Sequence, residues 1–351
     1  MTSPLTVAGN VTIGGSTGLS TLTLGGLSGV NAGDIYIGGN WTRNGFGSFN
    51  PSAISNGRAV FFNTATASTI TANLGETFPY LFISKNAKAN TVTLASNITV
   101  SRELHLTTGT LQLSNSDITL PSSSANTAEV SKINNTALVD VTYGTGKFII
   151  ERYIPARRAW RLLCAPITSA QTINAAWQEG GQSTTLTGPA SISNPVPGFG
   201  THITGGIANN NGNTTIGFDW GLNTSSIFSY NNSAPVGWNL VPANTKTLSV
   251  NSQQGWMLFV RGNRSNILSQ GTAAATSTTV LRTKGQIQIG AKTVGSLPVG
   301  MNVIANPYPS AINFENITRS ANIGKTYYLW DANVPGAWQV GGFISFAATL
   351  T

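Results

Sequence analysis

The sequence predicts an all-β protein: an N-terminal parallel β-solenoid (β-helix) followed by an antiparallel β-sandwich domain. Three observations carry that expectation. Charged residues make up only 9% of the 351-residue chain, against about 25% in an average soluble domain, and Gly, Ser, Thr and Asn fill the deficit. Residues 1–150 repeat short apolar pairs at a nearly constant spacing, and beyond residue 151 the chain turns aromatic, glycine-rich and irregular. Disorder requires low hydrophobicity together with high net charge, and a hydrophobic content of 40% excludes it. Thr, Val and Ile interspersed with Gly and Asn favour strands joined by tight turns. The length leaves room for two cores, and the boundary falls between 148 and 149.

In the first domain the pairs begin at Leu5/Val7, Val11/Ile13, Leu22/Leu24 and Ile35/Ile37. They return as Leu81/Ile83, Val92/Leu94, Ile98/Val100, Leu104/Leu106, Leu111/Leu113 and Ile118/Leu120, the last five spaced six, six, seven and seven residues apart. A meander of ordinary hairpins needs turn signals every 8–12 residues. A strand of two inward residues with a short corner every six or seven gives about 20 residues per three-sided coil. Val92, Leu94, Ile98, Val100, Leu104, Leu106, Leu111 and Leu113 are then the expected interior. A short-stranded β-sandwich is the competing arrangement. The segment 39–52, with Trp41, Phe46 and Phe49, reads as a loop packed over one side, and 121–136 as a second loop. Residues 137–143 and 147–153 read as strands around a Gly-Thr-Gly turn.

The stretch 151–167, ERYIPARRAWRLLCAPI, opens the second domain with four arginines and the single cysteine. Strand candidates are 160–165, 227–230, 255–260, 286–289, 300–305 and 326–330, separated by turn-rich runs at 195–206 and 209–217, with one short helix candidate at 169–179. Seven of the eight tryptophans lie here, singly placed, including Trp160, Trp330 and Trp338. Long loops between short alternating strands describe an antiparallel sandwich.

Four motifs then occur in order: ERYIPARRAWRLLCAPI, the glycine-aromatic strand QQGWMLFVRGNRS, the turn Asn306-Pro307-Tyr308-Pro309-Ser310, and YYLWDANVPGAW. Over about residues 148–345 this succession resembles a β-sandwich module of large secreted Bacteroidetes surface proteins. The resemblance implies β-solenoid repeats upstream, export by type IX secretion and a location outside a Gram-negative cell. It also implies a sandwich whose last strands continue past residue 351, so that the chain is part of a longer protein. The residues it singles out are Arg152, Tyr153, Arg158, Trp160 and Arg161 at the junction and Asn306, Pro307, Tyr308 and Pro309 in the turn.

Site chemistry is sparse. The formal charge of +8 arises in the second half, where arginines alternate with apolar residues instead of forming the clustered patch that nucleic acid requires. Arg152 and Arg158 are expected to pair with acids such as Glu151 or Asp140. With two histidines, His105 and His202, no His-based triad or multi-ligand metal site is suggested; His105 should point out of its strand and His202 lies in a loop. Glu103 and Asp117 are the nearest approach to a stacked carboxylate pair, and Lys85, Lys88 and Arg102 lack the acidic cluster of a calcium-dependent lyase. Asp331 reads as an Asx turn, Cys164 as a small buried hydrophobe, and the sequons at Asn40, Asn97 and Asn316 as chance in an Asn-rich chain. No cofactor is indicated; calcium is the one cation an acidic loop could take.

No segment approaches the roughly 20 apolar residues of a membrane span, and the N-terminus lacks the regions of a signal peptide. The expectation is a non-catalytic structural or adhesive surface protein. Its partners are copies of itself, stacked end to end into a filament, or neighbouring segments of a longer chain, and glycans. The alternative is a carbohydrate-binding or polysaccharide-degrading β-helix.

Overall fold

The computed structural model describes residues 4–15, 17–25, 33–51, 57–184, 193–205, 215–220, 224–233, 237–241, 244–268, 276–335 and 340–347. Trp338, most of the run 209–217, and the residues past 347 lie outside them. The chain divides into two compact units, Met1–Glu151 with Lys284–Ala291, and Arg152–Thr283 with Lys292–Thr351.

The first unit is a solenoid-like body of parallel strands. β1 (Leu5–Val7), β4 (Ile35–Ile37), β7 (Ala59–Phe62), β9 (Glu76–Ser84) and β11 (Ile98–Gln112) follow one another in one sheet. β2 (Val11–Ile13), β5 (Trp41–Arg43), β8 (Ser68–Ala72), β10 (Thr91–Leu94), the far end of β11 and β14 (Val139–Thr142) follow in another. β12 (Ile118–Leu120) joins the start of β11 to β15 (Phe148–Ile154), and β3 (Ser20–Thr23) pairs β6 (Gly47–Asn50), again in parallel. β13 (Glu129–Val130) adds to the middle of β11. Pairing through residues 91–120 is parallel throughout.

Alternation makes the core. Along β11 the side chains of Ile98, Val100, Leu104, Leu106 and Leu111 are at most 4% exposed, as are Val92, Leu94 and Leu113, so the expected interior is the observed one. Each such side chain removed from water contributes about 1.5–3 kcal/mol. Coil length departs from expectation. Register neighbours are 30 residues apart from Leu5 to Ile35 and 21 from Val60 to Leu81, because the inward pairs fix the stack while corners lengthen freely. Corner asparagines and an aspartate bridge the coils: Asn10 Oδ1 accepts from Asn40 N, Asn40 Oδ1 from Thr69 N, Asn97 Oδ1 from Asp117 N and Asp117 Oδ1 from Lys147 N, at 2.8–2.9 Å. Two of the sequon asparagines are therefore parts of the stack.

One expected loop, 39–52, contributes strands to the coils, and the other, 121–136, is a loop carrying one short strand. Trp41 is fully buried, edge-on to Phe49 and Phe78 at 4.8 and 5.4 Å, and one large ring fills a place that a smaller pair fills elsewhere. Its Nε1 donates to Glu76 Oε2, as does Arg43 Nε. The segment 121–136 contains β13 and an antiparallel bridge between Ser122 and Thr127. At Gly38 the carbonyl of Ala8 in the preceding coil occupies the space of a Cβ, which explains the glycine there.

The second unit contains a four-stranded antiparallel sheet in the order β16 (Ala159–Leu163), β21 (Trp256–Val260), β18 (Ile227–Asn231), β19 (Gly237–Leu240). β17 (Gln171–Thr172) pairs β20 (Ser249–Val250), β22 spans Thr279–Gly285, and β23 (Thr326–Asp331) pairs β24 (Gly342–Ala347). The expected helix shrinks to α1 (Ile173–Trp177), capped by Thr172 Oγ1 accepting from Ala175 N. Among the described residues no helix is long and apolar enough to cross a membrane.

Two strand expectations fail. Residues 286–289 belong to the first unit and form no strand: Ile287 N donates to Tyr143 OH at 3.1 Å. Residues 300–305 are irregular, since side chains take their backbone groups. Val303 N donates to Asn232 Oδ1, and Met301 O accepts from Tyr230 OH.

Candidate ligand-binding face

Register decides what the antiparallel sheet of the second unit presents. Trp160 lies opposite Phe259, Leu162 opposite Met257, Phe228 opposite Met257 on the other side, and Tyr230 opposite Trp238. Directly opposed residues share a face. Ala159, Ile227, Trp256, Leu258 and Val260 therefore point the other way, and all five are buried. Trp160, Leu162, Phe259, Phe228, Tyr230 and Trp238 are only half-buried. Trp160 sits 5.2 Å from Phe259 and 5.5 Å from Phe228, and Tyr230 meets Trp238 edge-on at 5.0 Å.

The β23–β24 hairpin supplies a further wall. Trp330 Nε1 donates to the Trp160 carbonyl at 2.7 Å, the Trp160 N–H donates to Val340 O, and Trp330 meets Phe343 edge-on at 4.9 Å. Trp160, Phe228, Trp238, Met257, Trp330 and Phe343 line an open cleft of about 370 Å³. A second cleft of about 190 Å³ shares Trp330 and is lined by Arg152, Tyr153, Arg161 and Asp331 among others.

The arginines of the junction cluster closely enough to repel one another. The ladder that sets Ala159 against Val260 places Arg158 across from Arg261 at the end of the aromatic face, and the Arg261 guanidinium lies 5.0 Å from the Phe259 ring. Burial, then the Arg158 charge, pushes Arg261 down to about 10, with Asp219 opposing. Burial also lowers Arg158. Arg161 is lowered by burial and by Arg157, with Asp331 opposing and Arg152 adding to the repulsion. The Nε atoms of Arg158 and Arg161 and the Nη1 of Arg261 are buried without a hydrogen-bond acceptor.

The other singled-out residues have structural places. Glu151 accepts from Ser122 N at 3.1 Å, and Asp140 sits 3.9 Å from Lys88. Asn306 closes its turn by accepting from Tyr308 N and donating to Ser310 O, while Pro307 and Pro309 are buried. The Cys164 thiol, raised by burial, donates to Asn306 O at 3.2 Å, and Tyr308 OH accepts from Lys292 N. Asp331 Oδ1 accepts from Asn333 N at 2.8 Å, an Asx turn.

Glu103 and Asp117 are not stacked, because they are closer in sequence than any pair in register within the coils: Glu103 lies in register with Glu129, and Asp117 meets Lys284 at 2.6 Å. His105 leaves its strand outward and stacks on Phe82 at 3.9 Å, with Nε2 2.7 Å from Glu103. Arg102 is half-buried on β11. Lys85 is buried, donates to Thr66 O and Ser68 Oγ, and is pushed down to about 8 by burial.

Sequence reasoning missed the polar centre of the second unit. Asp219, wholly buried, accepts from both Nη atoms of Arg264 at 2.8 and 3.0 Å, from Gln178 Nε2, and from the backbone N–H groups of Ser183 and Ile203. Burial raises its pKa, but Arg264 and His202 overcome that and leave it well below the usual carboxylate range. His202 is buried too, with Nε2 2.9 Å from Asn266 O and Nδ1 3.5 Å from Asp219, beyond a good hydrogen bond. A lone Asp and a lone Arg in a charge-poor half were the available signal. Comparison with protein-family models, with curated proteins and with solved structures finds no match for this chain.

Proposed function

We propose that the chain is a non-catalytic, adhesive structural component of a Gram-negative cell surface, binding glycans through the aromatic face of its second unit. The half-buried cleft formed by Trp160, Phe228, Trp238, Trp330 and Phe343 carries the reading. Indole and phenyl faces match the apolar C–H faces of sugar rings, and a cleft of this size suits a short saccharide. The motif succession from Arg152 to Asp331 supports export by type IX secretion and an extracellular place. It also supports a sandwich in which the β16–β21–β18–β19 sheet is one layer and the β23–β24 hairpin belongs to the other.

The structural half of the reading draws on the first unit. Among the described residues β1 and β2 end the strand order, and unpaired strand edges are templates for pairing with another chain. Stacking of copies through these edges gives an end-to-end filament, since head-to-tail contacts that do not close propagate.

A glycan array followed by calorimetry tests the adhesive role. Saccharide binding is expected in the wild type and lost in Trp160→Ala, with no turnover of the bound polysaccharide, with or without calcium. Binding unaffected by Trp160→Ala, or hydrolysis or elimination of any polysaccharide, overturns the reading. Light scattering tests the filament: mass should grow with concentration, and a strict monomer throughout refutes stacking.

A further inference from the structure

Resting on that reading, we infer that Arg158 and Arg261 form an anion subsite at one end of the aromatic face, so that the glycan recognised is an acidic one. Arg158 and Arg261 flank the Ala159–Val260 pair, one residue beyond the ends of neighbouring antiparallel strands, and the two charges repel, an arrangement that ordinarily costs stability. Among the described residues neither makes an ion pair or a side-chain hydrogen bond, and Arg158 Nε and Arg261 Nη1 are buried with their donor capacity unspent. Asp219 is the one carboxylate that acts on Arg261, and it is already engaged by both Nη atoms of Arg264. Among the described residues no carboxylate pairs with either guanidinium.

Arginine's planar fork matches the paired oxygens of a carboxylate or sulfate group. The Phe259 ring under the Arg261 guanidinium holds one fork in place, and Trp160 is the next inward-to-outward position along β16 on the same face. A saccharide lying on Trp160 thus brings a ring substituent towards the arginines. A uronic acid carboxylate and a sulfate ester present the same anionic oxygens; both are candidates, and neutral sugars are not. With Asp219 held by Arg264, an anionic ligand group supplies the counter-charge.

The experiment compares three probes by calorimetry: a uronic acid oligosaccharide, the same oligosaccharide with its carboxyls reduced to alcohols, and a sulfated neutral oligosaccharide. The acidic probes are expected to bind at least tenfold more tightly than the reduced one, with affinity falling as salt rises. The more tightly bound of the two acidic probes identifies the anion source. Arg158→Gln and Arg261→Gln should each remove that preference while leaving the reduced probe's affinity unchanged. Both variants should melt at or above the wild-type temperature without ligand, because each relieves a like-charge pair; a lower melting temperature would mark the arginines as struts of the fold and overturn the subsite. Equal affinity for acidic and reduced probes overturns the subsite and leaves glycan binding standing. Failure of all three probes to bind removes both.

Discussion

The first unit hides nearly every apolar residue its strands direct inward, whereas the second leaves a large part of one sheet face in contact with solvent. In the coils, Ile35, Val60, Leu81 and Leu104 come into register one above another, each at most 1% exposed. In the antiparallel sheet, Leu258 and Val260 are as deeply buried, but their strand neighbour Phe259 and the opposed Trp160 are not. The hairpin residues Leu329 and Phe343 are 53% and 50% exposed. Repetition closes the first core automatically, since every coil meets a copy of its own pattern. An antiparallel sheet built from unlike strands has no such guarantee, and the face left open is where aromatic and arginine side chains gather. The repeating core and the proposed binding face thus lie in different units.

The largest effects test that contrast at the two cores. Leu104→Asp puts a charge into an apolar stack with no partner, a cost of several kcal/mol. It should abolish the slow hydrogen exchange of residues 91–120; protection retained there would mean that the stack tolerates a carboxylate and is not a packed core.

Asp219→Asn is the counterpart in the second unit. It leaves the wholly buried Arg264 without its counter-charge, and removing one member of a buried pair costs about 3–5 kcal/mol. The folded-state pKa of Asp219 is depressed, so its stabilisation is present above the unfolded value near 4 and is lost as pH falls towards the folded value. The variant should therefore be destabilised at pH 7 and show a flatter acid limb in denaturant titrations followed by tryptophan fluorescence. An unchanged midpoint at pH 7 would show the pair to be dispensable.

Legibility followed the same division. Inward pairs such as Val92/Leu94 repeat locally, so their burial could be read without knowing what lay above them. Coil length could not, because the number of residues between successive inward pairs varies, 30 from Leu5 to Ile35 against 21 from Val60 to Leu81. In the second unit the strand expected at 160–165 forms as Ala159–Leu163, but Trp160 was singled out for the junction and not for a cleft. That Arg158 would face Arg261, or that Trp330 would reach the Trp160 carbonyl, depends on pairings between distant segments that no local pattern encodes. The missed Asp219–Arg264 centre is the extreme case, two isolated charges joined only by the fold.

A smaller effect comes from Lys85 in the first unit. Its folded pKa of about 8 lies below the unfolded value near 10.4, so between these pH values the unfolded chain binds more protons and stability rises with pH. Lys85→Met should remove that rise while changing stability at pH 7 by about 1 kcal/mol or less, as apolar replacements of buried charges often do. Urea midpoints at pH 7 to 10 decide it; a slope that survives in the variant assigns the titration to another group.

The smallest expected effect concerns aromatic rings that the first unit also presents outward. Tyr36, Phe61, Phe82 and His105 stack in sequence at centroid distances of 4.3, 4.2 and 3.9 Å, with planes within 20° of parallel. Phe61 and Phe82 have both faces spent on neighbouring rings, and a ring so covered cannot receive a sugar, unlike Trp160 in its open cleft. This ladder should therefore act only on stability. Phe82→Ala breaks two cross-strand contacts of about 0.2–1 kcal/mol each, lowering the urea midpoint slightly and leaving saccharide affinity unchanged. His105→Phe keeps the stack and removes the titration. Because burial lowers the His105 pKa against the pull of Glu103, the folded wild type resists protonation that the unfolded chain accepts, and it should lose stability as pH falls through the ordinary histidine value near 6.5. The phenylalanine variant should hold its midpoint between pH 7 and 5.5 better than the wild type. A change in saccharide affinity in either variant would break the contrast between a ladder that stacks and a cleft that binds.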